Sequence, residues 1–528
     1  MNADVLSRRG FVSGAGGFAA AVLVAPEALA GRPRRKPSLR GGEFAEGVLS
    51  GDPTPRGITL WTRVSDVEGT GTVELQVARD RGFRKVVARD LVKASDSGAH
   101  SVKARVAGLK PHEQYYYRFL TRNEQSPVGR FRTALPPDSN QPVRFAFFSC
   151  QDYNFGFFNA HALLANEDVD FVVNLGDYIY AEALASVAVG APNAPVRAEP
   201  VGDSITLDQY RAKYAAWRLD PRLRRMHSKF PMISIWDDHE VLDNYAGGAG
   251  PTAGLDPSKL YSEDRRKAAY RAYFESMPTF GAKRGTNRTY TALRFGRNVD
   301  LLLLDQRQYR DDQPCGDPFV GPACPELPQA RDYLGRRQMN WAKKRLASSN
   351  ASWKVIGNQL MVMRTYFPGG DIINFDSWMG YPRERAELLG HIKRKKVEDV
   401  VFITGDIHTF VAGDVRLNDN DKRPVATEFV GGSITSQNLG EGGGGVLPGA
   451  DPLNPKTPTG IILALQSANP WVKNAEFDHH GYGLAVATKS DFRCTLKRVA
   501  QIKKPGSKAL PKGEFSYRVP RGRPSVLD

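Results

Sequence analysis

Phe171-Val172-Val173-Asn174-Leu175-Gly176-Asp177-Tyr178-Ile179-Tyr180 joins a short apolar run to a turn of glycine, aspartate and tyrosine. An apolar run of this length that stops at a glycine reads as a strand covered on both faces, with its polar residues just past the carboxyl end. The pattern recurs three times: 143–148 leads into Ser149-Cys150-Gln151-Asp152, 232–236 into Asp237-Asp238-His239-Glu240, and 400–404 into Gly405-Asp406-Ile407-His408. Helical periodicity between the runs, over 208–217, 263–275, 336–346 and 383–395, makes the whole a layered α/β domain. Ligands of such sheets gather at the carboxyl ends of strands, where several turns aim side chains at one point.

Each residue type in those turns has an ordinary structural use. Asp opens turns and caps helices, a free Cys is usually a small core hydrophobe, Tyr anchors in a core and His is a satisfied polar group. Their coincidence at four strand ends makes a ligand set of them. Hard cations prefer carboxylate and phenolate oxygens, whereas imidazole and thiolate suit a transition metal, so the mixture predicts at least two metals of unlike character.

Outward from this domain, 135–142 is a Pro-rich breaker and 31–42 an Arg- and Pro-rich linker. Between them, short β-branched or aromatic runs at 58–64, 72–78, 86–92, 101–106 and 115–120 have the spacing of a β-sandwich. Gly108-Leu109-Lys110-Pro111 ahead of Tyr115-Tyr116-Tyr117 resembles the late-strand corner of fibronectin type III domains. The expected organisation is a sandwich over 43–134, a catalytic domain over 143–500 and a basic tail over 501–528.

The 528 residues, 41% hydrophobic and 25% charged, exclude a single-motif peptide, a largely disordered chain and a collagen-like repeat. A net charge of +16 favours anionic partners. Ser7-Arg8-Arg9-Gly10-Phe11-Val12, the apolar run 14–25 and Ala28-Leu29-Ala30 read as a cleaved twin-arginine signal over 1–30. The run is shorter than the ~20 residues that span a bilayer, so no transmembrane anchor is expected. Twin-arginine export carries proteins that fold and load cofactors first, which suits a demanding metal site. Four cysteines are too few for a disulfide scaffold. Cys315 and Cys324 flank a Pro- and Gly-rich loop and should form a local disulfide in an oxidising compartment, the alternative being that one of them pairs with Cys494.

Gly176-Asp177 with Tyr180, Asp238-His239-Glu240 and Gly405-Asp406-Ile407-His408 resemble the Gly-Asp, Asn-His-Glu and Gly-His-x-His blocks of calcineurin-like metallophosphoesterases. Asp replaces Asn in the second block and the first His in the third. Those replacements, with Cys150, the stretch 236–245 and Asp305-Gln306-Arg307-Gln308-Tyr309-Arg310, resemble the PhoD-like alkaline phosphatases over about 43–488. The resemblance implies a calcineurin-like layered α/β fold behind a fibronectin III-like sandwich, and Fe(III) and Ca2+ as cofactors. It places Cys150, Asp177, Tyr180 and His408 on iron, with Asp177 bridging, and Asp238 and Asp406 on calcium with Asn244 as a further oxygen donor.

The implied chemistry is hydrolysis of phosphate mono- or diesters by metal-activated hydroxide, for phosphate acquisition. His239 would stabilise the transition state or protonate the leaving oxygen, and Arg307, with Arg310 as second choice, would offer a planar fork to the phosphoryl oxygens. A salt bridge is the competing use of either arginine. Expected partners are the ester substrates and the twin-arginine translocation machinery. No stable nucleic-acid complex is expected, and the location is secreted, periplasmic or cell-wall associated in a bacterium. A phospholipase D-like phosphodiesterase of the same fold is the alternative, and a non-catalytic binder of anionic polymers the rival of another class. Oligomeric state and natural substrate stay open. Glu441-Gly442-Gly443-Gly444-Gly445 lacks the Lys-Ser or Lys-Thr of a phosphate-binding loop, and Asp478-His479-His480 is as consistent with a structural corner as with metal binding.

Overall fold

In the computed structural model of the protein, Val143–Phe148 lies at the centre of a ten-stranded sheet. Phe171–Asn174 and then Pro231–Ser234 run parallel to it on one side, and Gly481–Ala487 runs antiparallel on the other. The residues described are 23–24, 36–183, 195–250, 260–281, 286–441, 465–506 and 508–528. The twin-arginine motif, the cleavage site 28–30 and the glycine run 442–445 lie outside them. Among the described residues no helix is long and apolar enough to cross a membrane.

A second, seven-stranded sheet has the order Thr291–Phe295, Val299–Leu303, Trp353–Asn358, Val400–Thr404, Ala426–Gly431, Phe410–Val415, Val472–Glu476. The two sheets pack face to face. Phe145, Val173 and Ile233 of the first meet Leu301, Val355, Ile403 and Phe429 of the second in one apolar core. The alternate residues point outward and are covered by helices, which is why these strands read as unbroken apolar runs. Helices α1 (Asn159–Leu164), α2 (Leu207–Arg218), α3 (Pro221–His227) and α4 (Glu263–Ser276) cover Ala146, Phe148, Val172 and Met232. On the other side α5 (Gly335–Ser348) and α6 (Pro382–Arg394) cover Leu302, Ile356 and Phe402. The helix starts follow local chemistry: Thr206 and Gln209 form a capping box on α2, and Ser262 accepts the Arg265 N–H on α4.

Register sets the site. Asn174 stands level with both Phe148 and Ser234, and Thr404 with Asn358 and Val430, so the turns that follow leave their sheets at one height.

The N-terminal sandwich has its own core, including Leu60, Val73, Tyr117 and Phe131. Tyr115 closes its corner by accepting the Lys110 N–H on its hydroxyl at 3.0 Å. One of its sheets is continuous with the central sheet, because Val48–Thr54 pairs in parallel with Pro231–Ser234. The segment 501–528, read from the sequence as a basic tail, is corrected by the structure. Ala509–Pro520 pairs antiparallel with Asp491–Val499 and sends Tyr517 and Val519 into the inter-sheet core. Leu39, in the stretch read as linker, is likewise buried and donates its N–H to Thr72. Cys315 and Cys324 form a disulfide, and Cys150 and Cys494 are free and buried.

Candidate metal centre

Cys150, Asp177, Asp406 and His408 all sit in left-handed backbone, with φ of 59°, 52°, 62° and 55°. Residues with a Cβ reach that region at a cost of order 1–3 kcal/mol each, so it persists only where the surroundings dictate it. Two glycines let these turns close on one another. A Cβ on Gly176 would lie 2.3 Å from the Asp237 Cβ, and one on Gly405 would lie 2.7 Å from the Ser149 Oγ of the other sheet.

The result is a compact donor set. One ligand atom each from Cys150, Asp177 and His408 fall within 4.8 Å of one another, as do those of Asp177, Asp238 and His239, and those of Asp237, Asp238 and Asp406. Asp177 is common to the first two groups. Tyr180 Oη lies 3.3 Å from Asp177 Oδ2 and 3.2 Å from His408 Nε2. His408 Nδ1 donates to the Gln437 carbonyl at 2.7 Å, which leaves Nε2 with its lone pair toward that cluster.

Electrostatics set these groups apart from one another. Burial, reinforced by Asp238, pushes the Asp177 carboxyl well above the usual range, and burial with Asp376 lifts Asp406 to about 8. Burial and then Asp177 also raise the Cys150 thiol and the Tyr180 phenol. Asp238 goes the other way, to about 2, because the charges of Arg307 and His239 outweigh its burial. Asp177 Oδ1 and Asp237 Oδ2 are buried without a hydrogen-bond partner. Acceptor oxygens orphaned in a carboxylate-rich cavity fit cations, and a thiolate, a phenolate and an imidazole on one side fit a transition metal there.

The centre opens into a cavity of about 350 Å³ whose lining includes Asp177, Asp238, His239, Asp406 and His408, with Phe319 and Leu439 on its wall. The His239 ring lies against the Tyr180 ring, tilted by 30° with centroids 4.1 Å apart, and its Nδ1 lies 2.8 Å from Glu182 Oε2. Asp238, Glu182 and Asp177 together outweigh burial and raise its pKa well above the ordinary value.

The arginine assignment changes. Arg307 does not present a fork to the cavity. It is fully buried, with Nε 2.5 Å from Asp237 Oδ1 and an Nη 2.7 Å from Asp376 Oδ2. Arg310 pairs with Asp376 in the same way, at 2.7 Å, so the salt-bridge use prevails for both. Asn244 lines the cavity, its side-chain NH2 donating to Asp317 and its backbone N–H to Asp238, and neither bond uses the side-chain oxygen that the sequence reading assigned as a donor. The structure adds Asp237, Asp376 and Asp317 to the acidic set and Glu182 behind His239. Asp237 was visible beside Asp238. The other three lie in loops without periodicity and carry no local signal.

A profile of the PhoD-like phosphatases matches residues 145–496, and one of their N-terminal domain matches residues 29–135. Alkaline phosphatase D of Bacillus subtilis (strain 168) is 34% identical over 534 aligned positions, covering 98% of this chain and 88% of that protein. The solved structure of PhoD matches at 31% identity with a TM-score of 0.81, over 92% of this chain and 91% of the other. A purple acid phosphatase from yellow lupin seeds shares the fold at 14% identity, TM-score 0.52, over 89% of this chain and 73% of the other.

Proposed function

This chain belongs to the PhoD-like phosphatase family and is a phosphoric ester hydrolase, and on that premise we propose that it is exported and releases phosphate from external mono- and diesters with iron(III) and calcium. The observation that carries the reading is the orphaned, buried Asp177 Oδ1, held between a Cys150–Tyr180–His408 corner and the Asp237–Asp238–Asp406 carboxylates. Cys150, Asp177, Tyr180 and His408 would hold the iron, and Asp177, Asp238 and Asp406 the calcium. When bound, such ions neutralise phosphate charge and bring a water's pKa into the working range.

The chain's own residues supply the rest. His239 is held through Nδ1 by Glu182, which leaves Nε2 to give a proton to the departing ester oxygen. Arg307 keeps the carboxylates together from beneath instead of touching substrate. Phe319 and Leu439 form an apolar wall that sheds water from the leaving group. Export rests on the Arg8-Arg9 motif. The test is turnover of one phosphomonoester and one phosphodiester before and after strong chelation, with elemental analysis. Activity that survives removal of all metal would sink the proposal.

A further inference from the structure

Two donor atoms of the soft corner have a buried serine hydroxyl against them: Cys150 Sγ lies 3.0 Å from Ser149 Oγ, and Tyr180 Oη meets Ser436 at a shorter distance. Ser436 Oγ lies 2.6 Å from Tyr180 Oη, with both side chains buried. The Asp152 N–H donates to the same Oγ at 3.2 Å, so the serine already accepts there and has its own proton to give. A tyrosine that holds a metal as phenolate has no proton to offer, which fixes Ser436 as donor.

The surrounding turn is built for this. Over 433–437 the chain touches three of the four soft-corner residues. The N–H groups of Thr435 and Ser436 donate to the Cys150 carbonyl at 3.3 and 3.2 Å, and the Gln437 carbonyl accepts from His408 Nδ1. Ser433 Oγ donates to the Ser436 carbonyl at 2.6 Å and lies 2.9 Å from His480 Nδ1, whose Nε2 is 3.1 Å from Glu441. His480 therefore backs the turn, which gives the Asp478-His479-His480 stretch a structural use.

We propose that Ser436 is a positioning residue whose hydrogen bond to Tyr180 sets the donor strength of that phenolate, an inference that rests on Tyr180 holding iron. A hydrogen bond donated to a phenolate stabilises the charged form. The phenolate then gives less electron density to a ferric ion, and its charge-transfer absorption sits at higher energy than it would unaided. Removing the donor moves that absorption to longer wavelength.

The experiment compares visible spectra, iron content and steady-state kinetics of the full-length iron-loaded protein with those of Ser436→Ala, Ser436→Thr and Tyr180→Phe. Tyr180→Phe should bleach the band. Ser436→Ala should keep its iron, shift the band to longer wavelength and lower kcat about tenfold with little change in KM. Ser436→Thr, which retains the hydroxyl, should restore the wavelength. An iron-loaded Ser436→Ala with an unshifted band overturns the proposal while a bleached Tyr180→Phe leaves the ligand reading intact. A Tyr180→Phe protein that contains iron and has the wild-type spectrum overturns both. Should Ser436→Ala fail to fold or to load iron, Ser436→Cys, a weak donor of similar size, is judged by the same shift.

Discussion

Arg307→Met separates a strut from a substrate contact. The guanidinium has no exposed surface and faces four carboxylates, Asp237 at 2.5 Å, Asp376 at 2.7 Å, Asp238 at 3.3 Å and Asp406 at 3.6 Å. Methionine fills much of the same volume without charge. Removing one partner of a buried ion pair costs about 3–5 kcal/mol, because the other charge is left uncompensated. Unfolding entropy of ~2.1 cal/mol/K per residue gives roughly 1.1 kcal/mol/K for a chain of 528 residues. The metal-free variant should therefore melt about 3–5 °C below the metal-free wild type. Added cations compensate the same carboxylates, so the gap should narrow in the loaded protein. Calorimetry of chelated and loaded samples reads this directly, with KM for a phosphomonoester measured alongside. A metal-free Tm equal to that of wild type, combined with a large loss of kcat/KM, would show that Arg307 touches substrate and would refute the strut.

On the proposed ligand set, Asp177→Asn should abolish turnover and lower metal content while the N-terminal sandwich stays folded, since it removes a donor common to two clusters and no core contact; near wild-type activity with full metal content would contradict this. His239→Ala should keep its metals and lose ~10²–10⁴-fold in kcat. Loss of metal together with rate would make His239 a ligand. Burial lowers Lys103 to about 7 in the folded protein, although its ammonium donates to the carbonyls of Phe274 and Thr279. The unfolded chain keeps that proton to about pH 10.4, so the folded state is penalised at neutral pH and relieved as pH rises from about 7 to about 10. Denaturant titrations across that window should show a rising stability component that Lys103→Met removes, and an equal slope in the variant would assign the effect elsewhere.

The apolar runs and their polar ends were legible because they depend on local pattern. Strands buried on both faces are apolar at every position, and helices covering one face repeat every 3.6 residues, which placed α2 within one residue at each end, 208–217 against Leu207–Arg218. Val48–Thr54 was not legible, since Val48-Leu49-Ser50-Gly51-Asp52-Pro53-Thr54 contains glycine, aspartate and proline. It is a strand because Gly57–Arg63 pairs antiparallel with it on one edge and Pro231–Ser234 pairs in parallel on the other. Ala509–Pro520 was hidden in the same way by its lysine, glycine and two prolines, while its alternate Phe515, Tyr517 and Val519 turn toward a core formed by distant strands.

For the site, sequence placed the donor-type residues at the strand ends, because each turn carries its own side chains. Cys150, Asp177, Tyr180, Asp238, Asp406 and His408 come together in the fold as their positions suggested. What only tertiary structure decided is which other groups meet them. Arg307 carries a charge that its sequence position declares, yet its partners, Asp237, Asp238, Asp376 and Asp406, come from three other segments that only the tertiary structure brings to it. Glu182 reaches His239 across 57 positions and Ser436 reaches Tyr180 across 256. The first contact is fixed by the register of neighbouring strands and the second by the level at which two sheets end, and the local pattern of either loop holds no trace of that level.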